Sequence, residues 1–298
     1  MKSYSLLLLT IPFVILLSCN KNKGDYDATG SFEATEIIVS SQANGKILSL
    51  DVTEGDQLEQ GKVVGIVDST QLYLQKMSLL SNAKGVRAQQ PDIQTQTAVI
   101  QDQIKTLERE KARVERLIAA NAANQKQLDD IESQIEVLQS QLSAQTSTLR
   151  KSSQNISAQS STLDIQIAQL NDQLEKTRIV SPITGTVLNR FAEAGELATM
   201  GTPLFKIANL DTMYLRAYVT NDQLAKIKLK DEVTVRVDDG EGGMKTYQGT
   251  ISWISNKSEF TPKTIQTKDE RANLVYALKI TVPNDGFLKI GMYGEVKF

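Results

Sequence analysis

Side chains that usually carry chemistry are scarce in this chain of 298 residues, which has no histidine and one cysteine. Without histidine, the common neutral-pH general base and the commonest zinc ligand are both missing. A single cysteine excludes an intrachain disulfide. The run Asp238-Asp239-Gly240-Glu241-Gly242-Gly243 offers oxygen ligands of the kind calcium takes. Its spacing does not match an EF-hand loop, however, and it reads as a solvated hairpin turn. Asp129 and Asp130 pair two carboxylates near a predicted helix start, where they suit the positive end of the helix dipole. Met77, Met200, Met213, Met244 and Met292 lack paired spacing and read as core filling rather than soft-metal ligands. Lys263, Lys268 and Arg271 suit either a basic contact or an ordinary solvated loop. No GxxxxGK[ST] phosphate loop is present. The expectation is a non-enzymatic protein with no metal and no cofactor.

One reactive residue remains, Cys19. Residues 1–18 have a basic start at Lys2 and an apolar run from Leu6 to Leu17, too short to span a bilayer comfortably and placed like a signal peptide. The run ends in Leu16-Leu17-Ser18-Cys19, which resembles the bacterial lipobox, whose cysteine receives lipid and becomes the first mature residue. Each buried acyl methylene contributes about 0.8 kcal/mol, so two or more chains would hold the protein on a membrane without a transmembrane helix. Asn20 follows the cysteine, which leaves the choice of membrane open, and residues 19–29 read as a polar tether. A net charge of −2 gives no bias toward polyanions, so nucleic acid is not an expected partner.

The elements behind these residues are organised by a repeat. Gly45, Gly55 and Gly61 recur as Gly185, Gly195 and Gly201, all offset by 140 residues. Val39, Ser41, Ile47, Val64 and Val67 match Ile179, Ser181, Val187, Leu204 and Ile207 at the same offset. Short strands with glycine corners are predicted in both copies, so one small β-domain, residues 30–70 and 177–210, is cut in two. A carrier domain of the lipoyl or biotin type would display a lysine on the turn joining its halves. Here that turn is replaced by residues 71–176, and no equivalent lysine exists.

The inserted stretch is patterned in heptads. Ile93, Ile100, Leu107 and Val114 form one stripe, and Thr97, Ile104, Lys111 and Ile118 a second, half-polar one. Leu128, Ile135, Leu142, Leu149, Ile156, Leu163 and Leu170 follow, also seven apart. A turn near Ala119 to Gln125 makes these two antiparallel arms of a helical hairpin. The first arm should break at Gly85 and Pro91, because proline lacks the amide proton and clashes with the preceding turn. The second is expected to have a joint at the same height, in the Ser-rich stretch Ser152 to Ser161. After residue 210 the pattern is β again, with alternation at Val233, Val235 and Val237 and from Leu274 to Val282, and a short helix is predicted at Thr220 to Lys226. Residues 211–298 suit a small antiparallel barrel. The fold class is elongated α+β: a split lipoyl-like sandwich, an inserted coiled-coil hairpin and a β-barrel.

In this order, the parts resemble the periplasmic adaptor, or membrane fusion, proteins of the HlyD type. Ile179-Val180-Ser181-Pro182-Ile183-Thr184-Gly185-Thr186-Val187 resembles the family's second half-motif, and Leu288-Lys289-Ile290-Gly291-Met292 its closing barrel strand. The resemblance implies a periplasmic adaptor, lipid-anchored to the inner membrane, that assembles as a homo-oligomer, often a hexamer, between a transporter and a TolC-like outer-membrane channel. It also implies a hairpin-tip motif that contacts the channel, which falls here on Arg113, Leu117 and Asn124, with asparagine where the family has serine. Glu259 to Lys263, Gln266 to Arg271 and Leu274 to Tyr276 resemble adaptors paired with ABC exporters. The end at Phe298 is expected to leave no room for the further domain common in adaptors of RND pumps. Two alternatives stay open: an RND-pump adaptor, and a lipoprotein tether or envelope scaffold without a conduit.

Overall fold

A computed structural model describes residues 26–260 and 274–298. The signal-like run, Cys19 and Asn20, and the loop carrying Lys263, Lys268 and Arg271 lie outside the described residues. The expected α+β class, with sandwich, hairpin and barrel, is the observed one.

The first half of the sandwich contains β1 (Ala28–Ser40), β2 (Gly45–Leu50), β3 (Gln57–Leu58) and β4 (Val63–Val67). Three helices interrupt it: α1 (Thr70–Ala88), α2 (Ile93–Ala119) and α3 (Gln125–Lys176). The second half follows as β5 (Arg178–Val180), β6 (Gly185–Arg190), β7 (Leu197–Ala198) and β8 (Pro203–Thr220). One sheet runs β5-β4-β2-β7, and β1, β8, β6 and β3 form the facing layer. Val39, Ile47, Val64, Val67, Ile179, Val187, Leu204 and Ile207 fill the space between them, so every apolar pair of the repeat is buried.

The two halves hold each other by reciprocal bonds. Gly61 N–H donates to the Ser181 carbonyl and Gly201 N–H to the Ser41 carbonyl, both at 2.8 Å. Gly55 N–H donates to Val187 and Gly195 N–H to Ile47, again both at 2.8 Å. Ser41 and Ser181 are buried, and each turns its hydroxyl onto the carbonyl two residues on, at 2.7 Å in both cases. Gly55 and Gly195 have φ of 94° and 100°, as their corners require. Gly185 differs from expectation: its φ is not positive, and its role is close approach, since a Cβ there would meet the Ala208 carbonyl oxygen at 2.4 Å.

Among the described residues the barrel has six strands. After the one-turn helix α4 (Asn221–Leu224) come β9 (Glu232–Asp238), β10 (Met244–Phe260), β11 (Leu274–Pro283) and β12 (Tyr293–Lys297). The sheet runs β1-β12-β9-β10-β11-β8 and closes because β1 also pairs with β8. Phe32, Leu215, Val235, Ile280 and Val296 are among its buried core. The first strand crosses the division expected at residue 30, since Ala28 to Ser31 pair with β12 and Phe32 lies in the barrel core, while β8 pairs with β11 from Thr212 to Thr220, beyond the division expected at 211. Two long strands pass from sandwich to barrel, which ties the modules together by continuous backbone. The acidic run Asp238 to Gly243 is the β9–β10 turn, where Asp239 Oδ1 accepts from the N–H groups of Glu241 and Gly243.

Candidate functional site

The hairpin ends in a tip built by two caps. α2 closes with Asn121 in the left-handed region, at φ 56°. Ala122 N–H donates back to the Leu117 carbonyl at 2.8 Å and Asn121 N–H to that of Ile118 at 2.9 Å, the bond pair of a Schellman motif. α3 then opens on Asn124, whose Oδ1 accepts from Gln127 N–H at 3.0 Å. Asparagine and serine are both strong N-cap residues. The departure from the family serine thus keeps the helix start, and it occupies the Asn124 oxygen within the chain.

Arg113 and Leu117 lie one turn apart on the last stretch of α2. The Leu117 side chain is exposed although its carbonyl carries the cap. The Arg113 guanidinium bonds to the Glu110 carboxylate through Nε at 3.0 Å and through Nη2. That bond raises the pKa of Arg113 and lowers that of Glu110. Arg113 must leave Glu110 to take a partner's acceptor. Sequence reading placed these three residues but missed Asn121, the residue that turns the chain; a small polar residue just past the last seam position was its only signal.

Below the tip, Val114, Ile104 and Thr97 of α2 are buried in the seam with Ile135 and Leu149 of α3. Lys111, in the half-polar stripe, bridges to Glu132 Oε1 across the arms at 2.8 Å, and this bond raises its pKa. The first arm breaks at residues 89–92, around Pro91 as expected but not at Gly85, which lies within α1, and Asp92 caps α2 by accepting from Thr95 N–H at 3.1 Å. The second arm does not break. α3 runs unbroken for 52 residues, about 78 Å at 1.5 Å per residue. Its Ser-rich stretch contains neither glycine nor proline, and its hydroxyls serve the joint opposite: Arg87 Nε donates to Ser160 Oγ at 2.8 Å and Gln90 Nε2 to Ser153 Oγ at 3.0 Å. Arg87 Nη2 also grips both oxygens of Asp164, at 2.5 and 2.7 Å.

This plan can be set against known proteins. Residues 35–209 match the family model described as the barrel-sandwich hybrid domain of RND membrane fusion proteins. The chain belongs to the membrane fusion protein family. The matched residues span the cut sandwich and the whole hairpin, so the family's domain is the unit seen here. Among curated relatives, a UPF0194 membrane protein of Yersinia pseudotuberculosis serotype O:3 (strain YPIII) is 37% identical over 131 residues, 44% of this chain. The chain spans only 39% of that relative's length in this match. A UPF0194 membrane protein of Acidithiobacillus ferridurans is 25% identical over 284 residues, 88% of this membrane fusion protein and 83% of the relative. Among solved structures, MacA from Actinobacillus actinomycetemcomitans superposes with a TM-score of 0.54 at 20% identity, covering 91% of this chain and 76% of MacA. The membrane fusion protein Spr0693 from Streptococcus pneumoniae R6 gives 0.50 at 18%, covering 90% and 97%. Those two likenesses concern the fold. Among the described residues no helix is long and apolar enough to cross a membrane, and no cluster of metal-ligating side chains is found.

Proposed function

We propose that this membrane fusion protein is a non-enzymatic, lipid-anchored periplasmic adaptor linking an inner-membrane transporter of the ABC type to a TolC-like outer-membrane channel. The observation that carries this reading is the cut sandwich. Its halves close on each other through reciprocal bonds, while a rod of about 78 Å leaves from the cut and ends in an exposed leucine and arginine. A rod of that length adds nothing to the sandwich core, so its use lies at its far end. Copies of the sandwich and barrel would stack as a ring, a hexamer in this reading, around the exit path. Arg113 and Leu117 would meet the channel, with Asn124 holding the turn that presents them. Cys19 would carry the lipid, on the inner membrane. Energy for export would come from the transporter.

The ABC assignment rests on the resemblance of Glu259 to Lys263 and of the following run to ABC-linked adaptors. The description of the matching family model favours a second reading, an adaptor of an RND pump. Mild crosslinking and detergent pull-down of the full-length protein from its own cells tests both. Recovery of an ABC transporter with an outer-membrane channel is expected. An RND pump in its place would select the second reading, and envelope structural proteins alone would contradict both.

A further inference from the structure

The end of the barrel that faces away from the sandwich is where the described chain begins. β1 and β8 reach into the sandwich as far as Ser40 and Pro203, so their other ends, Ala28 and Thr220, mark this far end. Three segments meet there. Asp27 N–H donates to the Val296 carbonyl at 2.8 Å, Phe298 N–H donates to Asp27 Oδ2 at 2.9 Å, and Gln223 Nε2 of α4 donates to the Asp27 carbonyl. Tyr26 and Phe298 are exposed beside this junction. From α4 the chain crosses the far end to β9, burying Ile227 in the barrel core and leaving Leu229 55% exposed. A turn holds Leu229 out: Asp231 N–H donates to the Lys228 carbonyl at 3.2 Å, and Lys228 N–H to Asp231 Oδ2 at 2.7 Å. Lys230 stands in this turn at φ 75°, where glycine is the unstrained residue. The strained corner sets a cation on each side of Leu229, and Lys226 adds a third.

We propose that this end rests on a phospholipid surface, with Leu229 dipping below the headgroups and Lys226, Lys228 and Lys230 meeting their phosphates. The chain leading away selects a bilayer as the occupant. Tyr26 lies seven residues from Cys19, a reach of about 25 Å even when fully extended. Lipid on Cys19 therefore confines the far end of the barrel to the neighbourhood of the membrane, where tethering makes a weak second contact effective. The surface has the composition of an interfacial one, an exposed leucine and two exposed aromatic rings beside lysines. All three lysines are exposed and form no ion pair among the described residues. Of the nearby carboxylates, Asp27 and Asp231 are turned onto backbone donors of the chain itself, while Asp222 and Glu232 offset part of the positive charge. The contact has a mechanical consequence. A single tether leaves the barrel free to turn, whereas a second contact at its far end points the sandwich away from the membrane.

This proposal rests on the lipid anchor of the adaptor reading, and its test separates the two. Cys19 is the only cysteine and would carry the lipid, so Leu229→Cys offers one free thiol for a polarity-sensitive fluorophore. Full-length protein purified from membranes is labelled and reconstituted in vesicles of phosphatidylethanolamine with about one-quarter phosphatidylglycerol. Met244→Cys, at the opposite end of the barrel, is labelled in parallel. The expected result is a probe at 229 that is quenched by spin-labelled lipid and shielded from aqueous iodide, with the reverse at 244. Lys226→Gln, Lys228→Gln and Lys230→Gln together should cut the lipid-quenched population about tenfold, since each lysine near an anionic surface contributes about fivefold before the opposing carboxylates are counted. Iodide quenching at 229 in protein that stays on the vesicles would overturn the membrane contact and leave the lipid anchor standing. Shielding from both quenchers would overturn it in favour of a contact with a second copy. Lipid quenching that survives the loss of all three lysines would overturn their part in it. Protein that does not associate with the vesicles would overturn anchor and contact together.

Discussion

Asn121 and Asn124 set the direction of everything beyond the seam. Asn121→Val forces a β-branched residue into the left-handed region, where roughly 1–2 kcal/mol is lost for an L side chain. Faster amide exchange should follow at 117–127, with the barrel unchanged; unaltered exchange at the tip would contradict the cap geometry. Asn124→Ala should weaken the start of α3 by about 1 kcal/mol, whereas Asn124→Ser should leave it intact. Equal melting of the two variants would show that the Gln127 bond is not what matters. Leu117→Asp keeps the carbonyl that accepts from Ala122 and changes only the exposed side chain, so it should abolish export while folding and anchoring persist. Normal export in that variant would remove the tip contact. Arg113, Leu117 and Asn124 were legible through their resemblance to the spacing of the family's tip motif, while the heptads located only the end of the arm. The left-handed state of Asn121 was not, because it follows from the need to end α2 in register with α3.

The hairpin and the barrel turns carry the predictions made for elements. Arg87→Ala removes the donor to buried Ser160 and the grip on Asp164, so exchange should rise in 83–92 and 156–164 and not at the tip. A rise spread evenly along α3 would show instead that the joint is not locally clasped. In the barrel, Lys245 lies 2.6 Å from Asp285 Oδ2, and the Tyr247 hydroxyl donates to Oδ1 at 3.0 Å. The hydrogen bond from Lys245, then that from Phe287 N–H, lowers the Asp285 pKa to about 2. A depressed carboxylate contributes stability above its unfolded value, and that contribution is lost as pH falls through the folded one. The melting difference between wild type and Asp285→Asn should therefore be present at pH 5 and shrink toward pH 2. A difference that does not change with pH would rule out the carboxylate as its source. The 140-residue repeat was legible because glycine corners and alternating apolar residues are local signals. The continuity of α3 was not: polar seam positions look weak in one arm until Arg87 and Gln90 of the other arm supply their donors. The barrel's use of β1 was hidden for the same reason, since Phe32 finds its core beside Leu215 and Val296 only when β12 has folded back.

For the whole molecule, the proposed adaptor would have a lipid-held base below its two β-modules and the rod of the hairpin. Cys19→Ser should release the protein from membranes during fractionation. Firm retention of that variant would show that lipid is not its main anchor. The central claim is that the far end of the rod meets an outer-membrane channel, and it is tested most directly by placing a photo-crosslinking side chain at Leu117 in the full-length protein in living cells. The account predicts a covalent product with an outer-membrane channel protein, lost when the same probe sits at Trp253 on the barrel. If Leu117 captures only soluble periplasmic proteins, or the same partners as Trp253, the rod does not bridge to a channel and the adaptor account is contradicted.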